Sequence, residues 1–360
     1  MQINSTPEQI VAPHPEPEKQ NNPIFPLFMP YAGCISRCIF CSQERQTGTE
    51  AMANRGQLDQ LLQSLDQAME QRKIAGQPPV ELAFFGGTFT ATPPKWQATC
   101  LERAAYWKDQ GQVCAVRCST RPDAINPALL DSLQKKGVST IELGIQSFAD
   151  NALLASRRGY TAATASRACS MARESGLTLG IQLMPGLPGQ DIHTAREDIF
   201  LAAEAKPAFV RLYPCLVFTG TALEKLWRQG GFTPMETSDT ITFLGESCLH
   251  FWQRGIAVIR MGIAPEASAL RAIAAGPFHP AMGARARALA LFLYLQEKIR
   301  EYQASTGRQA AFWSLRGPRR YQGEFWGHRG ELKKNYEAMG IGAAGSIIWE
   351  KRADFILRPA

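Results

Sequence analysis

Three cysteines stand within eight positions of one another, in the segment Tyr31-Ala-Gly-Cys34-Ile-Ser-Arg-Cys38-Ile-Phe-Cys41. Thiolates are the soft ligands that iron–sulfur clusters require. Three of them on one short loop can wrap a single cluster and leave one iron without a protein ligand, open to a substrate or cofactor. A zinc site would need a fourth ligand, and no His or Cys occurs in the fifty residues after Cys41. A trio of packed core thiols would fit poorly beside Ser36, Arg37 and Ser42. The expected metal ligands are therefore Cys34, Cys38 and Cys41.

Other residues that could carry chemistry fall where apolar runs end. Gly86-Gly87-Thr88 closes the run from Val80 to Phe85. Paired glycines there permit an ordinary turn or a close backbone approach to a ligand. Ser119-Thr120-Arg121-Pro122-Asp123 ends the next run. Glu142 and Gln146 are four apart in a strand pattern and so share a face; burying both calls for polar partners, which a ligand would supply. Arg158 follows Gln146 by twelve positions, and Gln182 opens the segment Gln182-Leu-Met-Pro-Gly-Leu-Pro-Gly189. Cys100, Cys114, Cys118, Cys169 and Cys248 are scattered within predicted elements and read as core thiols. Cys215 lies just past a strand, on the side of the expected site. Gly340-Ile-Gly342-Ala-Ala-Gly345 fits G-x-G-x-x-G, but a helical pattern precedes it, so it reads as a turn and not as a dinucleotide site.

Placing these residues requires regular alternation of strands and helices. Strands are expected at Ile24 to Tyr31, Val80 to Phe85, Val113 to Ser119, Thr140 to Ile145, Leu177 to Met184 and Phe209 to Tyr213, with helical patterns between them. Apolar strands alternating with helices call for a parallel sheet buried on both faces. The expected fold class is α/β, a partial (β/α)6 TIM-like barrel over residues 24–235, with a smaller C-terminal α+β domain over 236–360. Residues 1–23, polar and proline-rich, read as a disordered lead-in. Helical patterns at Thr221 to Gln229, Asp239 to Arg254 and Ala284 to Tyr302 and a strand at Ala257 to Met261 belong to the later part.

The composition narrows the partners. Of 360 residues 45% are hydrophobic and 20% charged, an ordinary globular balance, and the net charge of +7 fits an anionic partner or simply a basic enzyme. The best apolar run, Ala288 to Leu295, is too short to span a bilayer, and no secretory pattern opens the chain, so a cytoplasmic protein without membrane association is expected. From Glu301 onward ten Lys or Arg stand against six Asp or Glu, interleaved with Phe312, Trp313, Tyr321, Phe325, Trp326 and Tyr336. That tail reads two ways: as a grip on RNA, or as a solvated face above a local aromatic core.

Cys34-x3-Cys38-x2-Cys41, with Phe40 before the last cysteine, resembles the radical S-adenosylmethionine (SAM) family. Gly-Gly-Thr-Phe, Thr-Arg-Pro-Asp and Met-Pro-Gly-Leu-Pro-Gly resemble the versions in the Elongator catalytic subunit. The Gln146 to Arg158 spacing is also similar to oxygen-independent coproporphyrinogen oxidase. The likeness runs from about Phe25 to Gly283. It implies a [4Fe-4S] cluster, SAM bound at the open iron and cleaved to a 5′-deoxyadenosyl radical, and a reducing electron donor of flavodoxin or ferredoxin type. It implies SAM contacts at Phe40, Gly86, Gly87, Thr88, Ser119, Arg121, Glu142, Gln146, Arg158 and Gln182. Thr88 stands where the broad family has Glu, and Tyr160 where related chains commonly have His. Only fifteen residues follow Gly345, so the CoA-binding acetyltransferase domain of Elongator is expected to be absent. The substrate stays open between RNA and a small metabolite, and a non-catalytic iron–sulfur protein is the third reading. No oligomeric state is implied.

Overall fold

A computed structural model describes residues 9–18, 22–263, 266–342 and 346–360; of the lead-in and of the G-x-G-x-x-G turn, the remaining positions lie outside the described residues. The strands are β1 (Ile10–Ala12), β2 (Ile24–Phe28), β3 (Val80–Phe85), β4 (Val113–Thr120), β5 (Thr140–Gln146), β6 (Thr178–Leu183), β7 (Phe209–Leu212), β8 (Val217–Phe218), β9 (Ala257–Met261), β10 (Ile273–Ala275), β11 (Trp313–Pro318), β12 (Ile347–Glu350) and β13 (Phe355–Pro359). The largest sheet has seven strands in the order β2-β3-β4-β5-β6-β7-β9, and β2 to β7 pair parallel. It forms a curled half-barrel flanked by helices, one strand more than the six expected. The extra strand, β9, follows helix Thr237–Trp252 and so adds one more helix–strand step.

Local sequence accounts for the elements. Pro26, which cannot donate to a ladder, sits on β2 at the sheet edge. Side-chain caps start the barrel helices: Asn54 accepts from Gln57 N, Asn126 from Leu129 N, Thr161 from Thr164 N and Asp191 from Thr194 N. On helix Arg55–Ile74 the buried residues Leu58, Leu62, Leu65 and Met69 recur at helical spacing. One expected core thiol is not in the core. Cys114 is exposed, because the register between β3 and β4 slips between Val80 and Glu81 and leaves Cys114 as the extra residue of the irregularity.

The chain divides into two compact units that interleave along the sequence: Lys19–Glu236 with Gly262–Phe278, and Met1–Glu18 with Thr237–Met261 and His279–Ala360. The expected break near 235 is therefore one of several. Residues 262–278 return to the barrel unit because β10 pairs antiparallel with β8, and Leu216, Phe218 and Ala272 pack together beneath that pair. Residues 9–18, expected to be disordered, form β1 against β13, with Glu16 paired to Arg287 and His14 stacked on Tyr321 at 4.0 Å. Short apolar alternation at Ile10 and Ala12 was too brief a signal to register as a strand.

The second unit is α+β. Its sheet runs β1-β13-β11-β12, with the long helix Met282–Thr306 contributing Leu291, Leu295 and Ile299 to the same core. Phe325 stacks on Tyr336 at 3.7 Å and 11°, and both are fully buried together with Trp313 and Phe355. Trp313, Phe325 and Tyr336 thus form a core, and buried rings cannot stack on bases; Tyr321 and Trp326 are half-buried and Phe312 is exposed.

Candidate functional site

Every strand that carries a predicted site residue ends at one edge of the half-barrel, the edge where such folds display their chemistry. The cysteine loop leaves β2, Gly86-Gly87-Thr88 leaves β3, Arg121 follows β4, Gln146 ends β5 and Gln182 lies one residue before the end of β6.

The loop is clamped to β3. Gln43 Oε1 accepts from Tyr31 N at 2.6 Å and from Gly87 N at 3.1 Å, and Gln43 N donates to Tyr31 Oη at 2.9 Å. Thr88 N donates to Ala32 O at 2.7 Å. Gly87 has φ +60°, and a Cβ there would run into the carbonyl of Ala32. The glycine therefore permits close approach, but of the cysteine loop. Gln43 was not anticipated, since a lone Gln after a cysteine motif carries no spacing signal.

The three thiols are half-buried and unbridged. Cys34 Sγ lies 3.4 Å from Thr88 Oγ1, and Cys38 Sγ accepts from Arg158 Nη1 at 3.0 Å. Phe40 and Ile39 pack with Ala152, Leu187 and Cys215 into an apolar wall against Cys38 and Cys41. Burial raises the Cys34 thiol; burial, then repulsion from Cys38 and Cys34, pushes Cys41 up to about 12. Free, Cys34 and Cys41 keep their protons; iron would reverse that, since a coordinating thiol is deprotonated outright. Among the described residues no three His, Cys, Asp or Glu side chains form a group that could hold a metal ion. The three loop thiols are soft donors of the type an iron–sulfur cluster takes, and that donor chemistry fits the cluster. Cys215 is a core thiol within the apolar wall, pushed up to about 12 by burial.

Two arginines stand against the loop. Arg158 is fully enclosed; besides Cys38 it donates from Nε to Tyr160 Oη at 3.0 Å and from Nη2 to Gly144 O at 2.5 Å. Burial works against its charge, but Tyr160 and Cys38 more than offset that and raise it. Tyr160 donates to Ile145 O at 2.7 Å, and burial raises its own phenol, so it fixes Arg158 and does not exchange protons near neutrality. Arg121 engages Asp123 through Nε (2.9 Å) and Nη2 (2.7 Å) and the carbonyl of Arg158 through Nη2. Its Nη1 is buried and has no partner among the described residues, the kind of orphaned donor that an anionic ligand group would satisfy.

Beneath this lies a charged ladder. Arg117 forms two bonds to Glu81 (2.9 and 2.6 Å) and one to Glu142 (2.6 Å); Glu142 also meets Arg211 at 3.0 and 3.2 Å, and Arg211 reaches Tyr213 Oη at 3.2 Å. The protein itself thus supplies the partners that Glu142 was expected to find in a ligand. The signal was in the sequence: Glu81 and Arg117 are lone charges in apolar strands, and buried charges come paired. Ser119 is half-buried on β4, in register with Glu142. Gln146 finds Gln182, whose Nε2 donates to its Oε1 at 3.3 Å. Gln146 has φ +69° at a register irregularity, and Tyr31 and Arg157 have φ +59° and +53°. Such backbone costs on the order of 1–3 kcal/mol each and gathers at functional sites.

A buried carboxylate braces the two neighbouring loops. Asp198, on helix Ile192–Glu204, accepts from Phe148 N and from Gln190 Nε2, both at 2.6 Å, and Gln190 Oε1 in turn accepts from Gly186 N at 2.7 Å and Leu187 N at 3.2 Å. Burial pushes the Asp198 carboxyl up to about 6, against hydrogen bonds from Ser147, Phe148 and Gln190. Unfolded, the group releases its proton nearer 3.8. Between roughly pH 4 and 6 the folded chain holds the extra proton, so this group's contribution falls as pH rises through that window, by up to about 3 kcal/mol. Asp198→Asn removes that slope, which urea denaturation midpoints of variant and parent at pH 4.5 and 7 would record.

The Radical SAM superfamily pattern matches residues 28–202, and the Radical_SAM C-terminal domain pattern matches residues 207–290. The chain belongs to the radical SAM superfamily and is an enzyme. Within that family it is similar to the tRNA uridine(34) acetyltransferase of Methanocaldococcus jannaschii, at 29% identity over 61% of this chain and 47% of that one. It is also similar to Elongator complex protein 3 of Mus musculus, at 27% identity over 57% and 44%. The chain thus spans about half the length of the curated relatives it matches. The solved structure of Methanocaldococcus infernus Elp3 with an N-terminal deletion shares the fold, with a TM-score of 0.58 at 20% identity over 82% of this chain and 71% of that one. Among the described residues no helix is long and apolar enough to cross a membrane.

Proposed function

We propose that this chain carries a [4Fe-4S] cluster on Cys34, Cys38 and Cys41, binds SAM at the iron those thiolates leave open, and acts on RNA. The observation that carries the reading is the loop itself, three unbridged thiols with Arg158 donating to Cys38. Bound, the cluster and SAM supply one-electron cleavage of the sulfonium to methionine and a 5′-deoxyadenosyl radical. The chain's own residues position and shield that chemistry. Arg158 sets a permanent positive charge against a thiolate and lowers the cost of holding an anionic cluster in an apolar wall. Arg121 offers its unengaged Nη1 to the carboxylate of SAM. Gln146 and Gln182 present amide groups at the same edge, while Thr88 orients Cys34. Phe40 excludes water beside the loop. Gly86 and Gly87 act by letting the loop lie against β3, and Ser119 and Glu142 support the floor below. A reducing protein of flavodoxin or ferredoxin type would deliver the electron, and such a setting favours the cytoplasm.

RNA is favoured over a small metabolite by the similarity to a tRNA uridine(34) acetyltransferase and by the net charge of +7. Anaerobically reconstituted enzyme given dithionite and SAM is expected to release 5′-deoxyadenosine, faster with total tRNA than without. No 5′-deoxyadenosine would overturn the radical reading. Release unaffected by tRNA, with no salt-sensitive binding of tRNA, would overturn the RNA assignment alone.

A further inference from the structure

Residues 319–334 of the second unit, Arg-Arg-Tyr-Gln-Gly-Glu-Phe-Trp-Gly-His-Arg-Gly-Glu-Leu-Lys-Lys, lie beyond both family matches. Five cations on this segment are exposed: Arg319, Arg320, Arg329, Lys333 and Lys334. Its two carboxylates are committed elsewhere. Glu324 binds His14 at 3.1 Å and Arg287 at 3.3 Å, and Glu331 binds Arg285 at 2.7 Å. Arg319 reaches the Trp349 carbonyl at 3.3 Å, Lys333 stands 3.9 Å from Glu337, and Arg320 lies over the Tyr321 ring. Arg320, Arg329 and Lys334 face no carboxylate among the described residues. Glu324 is thus turned to His14 and Arg287, and Glu331 to Arg285 and the His328 amide.

Two features set these cations against local preference. Arg329 holds left-handed backbone, φ +54°, in the turn between Gly327 and Gly330, with its side chain exposed. Lys333 and Lys334 open the helix Lys333–Ala338, with no acid in its first turn, at the end where a cation is least favoured. Buried Phe325, Leu332 and Tyr336 hold the segment on the core, so the cations sit on a fixed frame. Exposed cations that lack a carboxylate partner, as Arg320, Arg329 and Lys334 do among the described residues, are free to meet an anion outside the chain.

We propose that Arg319, Arg320, Arg329, Lys333 and Lys334 form a docking surface for the phosphate backbone of RNA, an inference that rests on the RNA reading above. Contact is through charge, since Phe325 and Tyr336 are buried and Tyr321 and Trp326 half-buried, and so positions the RNA without reading its bases.

The test is equilibrium binding of total tRNA to the full chain across a salt series, comparing the parent with Arg320→Gln/Arg329→Gln/Lys334→Gln. A control carries Lys95→Gln/Lys108→Gln/Lys136→Gln, three exposed cations of the other unit. The first variant is expected to bind about tenfold more weakly and to lose roughly 2 from the slope of log K against log salt, whereas the control stays near the parent. RNA-independent 5′-deoxyadenosine release and iron content should be unchanged in both. A parent that binds tRNA while both variants lose equally, or neither loses, overturns the surface and leaves the RNA reading standing. A parent with no salt-sensitive binding overturns both.

Discussion

Alanine at Cys34, Cys38 and Cys41 together is expected to abolish cluster assembly: the parent takes up about four iron and four sulfide per chain under anaerobic reconstitution, and the variant essentially none. The effect is large because the apolar wall and the buried arginine cannot hold iron without thiolates. It is also specific. Cys100, Cys118 and Cys169 sit buried in helices and strands, with thiols pushed up to about 12 by burial, so alanine at any of them should leave iron uptake at the parent level. Loss of iron on substituting those thiols, or its retention without the three loop thiols, would move the cluster elsewhere.

Glu142→Ala is expected to be the most damaging single change outside that loop, costing roughly 3–5 kcal/mol of stability. Glu142 is the shared partner of Arg117 and Arg211, with all three side chains largely buried. Its removal leaves Arg117 with Glu81 and the Phe209 ring, and Arg211 with the Tyr213 hydroxyl and the Phe85 ring but no carboxylate partner among the described residues. Glu142→Gln, which still accepts hydrogen bonds, should lose less. Denaturant midpoints of the metal-free chain measure this directly. A direct SAM contact at Glu142 would instead raise the KM for SAM at unchanged stability, so the two roles separate cleanly.

Much of this architecture is legible in the residues because the signals are local. Val80–Phe85 and Ala257–Met261 are bounded as strands by their apolar runs, and the barrel helices by caps such as Asn54 and Asp191. The cysteine loop is legible for the same reason: ligand type and spacing sit within one short segment. What stays hidden depends on distant partners. β1 exists only because β13, more than three hundred residues away, offers an edge. The Gln43 clamp, the Asp198–Gln190 brace and the Glu142 ladder join residues from separate strands and loops, and no periodicity reports such meetings. The tail aromatics are ambiguous in the sequence because charge and ring content are the same for an RNA grip and for a small core under a charged skin; packing places Trp313, Phe325 and Tyr336 in the core and leaves Phe312 exposed.

The central claim is that three thiolates leave one iron vacant and that SAM fills it. Electron paramagnetic resonance of the dithionite-reduced cluster, recorded before and after adding SAM, tests this most directly. A spectrum that changes on addition of SAM, and reverts when SAM is removed, is the predicted result. A four-iron spectrum indifferent to saturating SAM would contradict it, leaving an iron–sulfur protein with no open site.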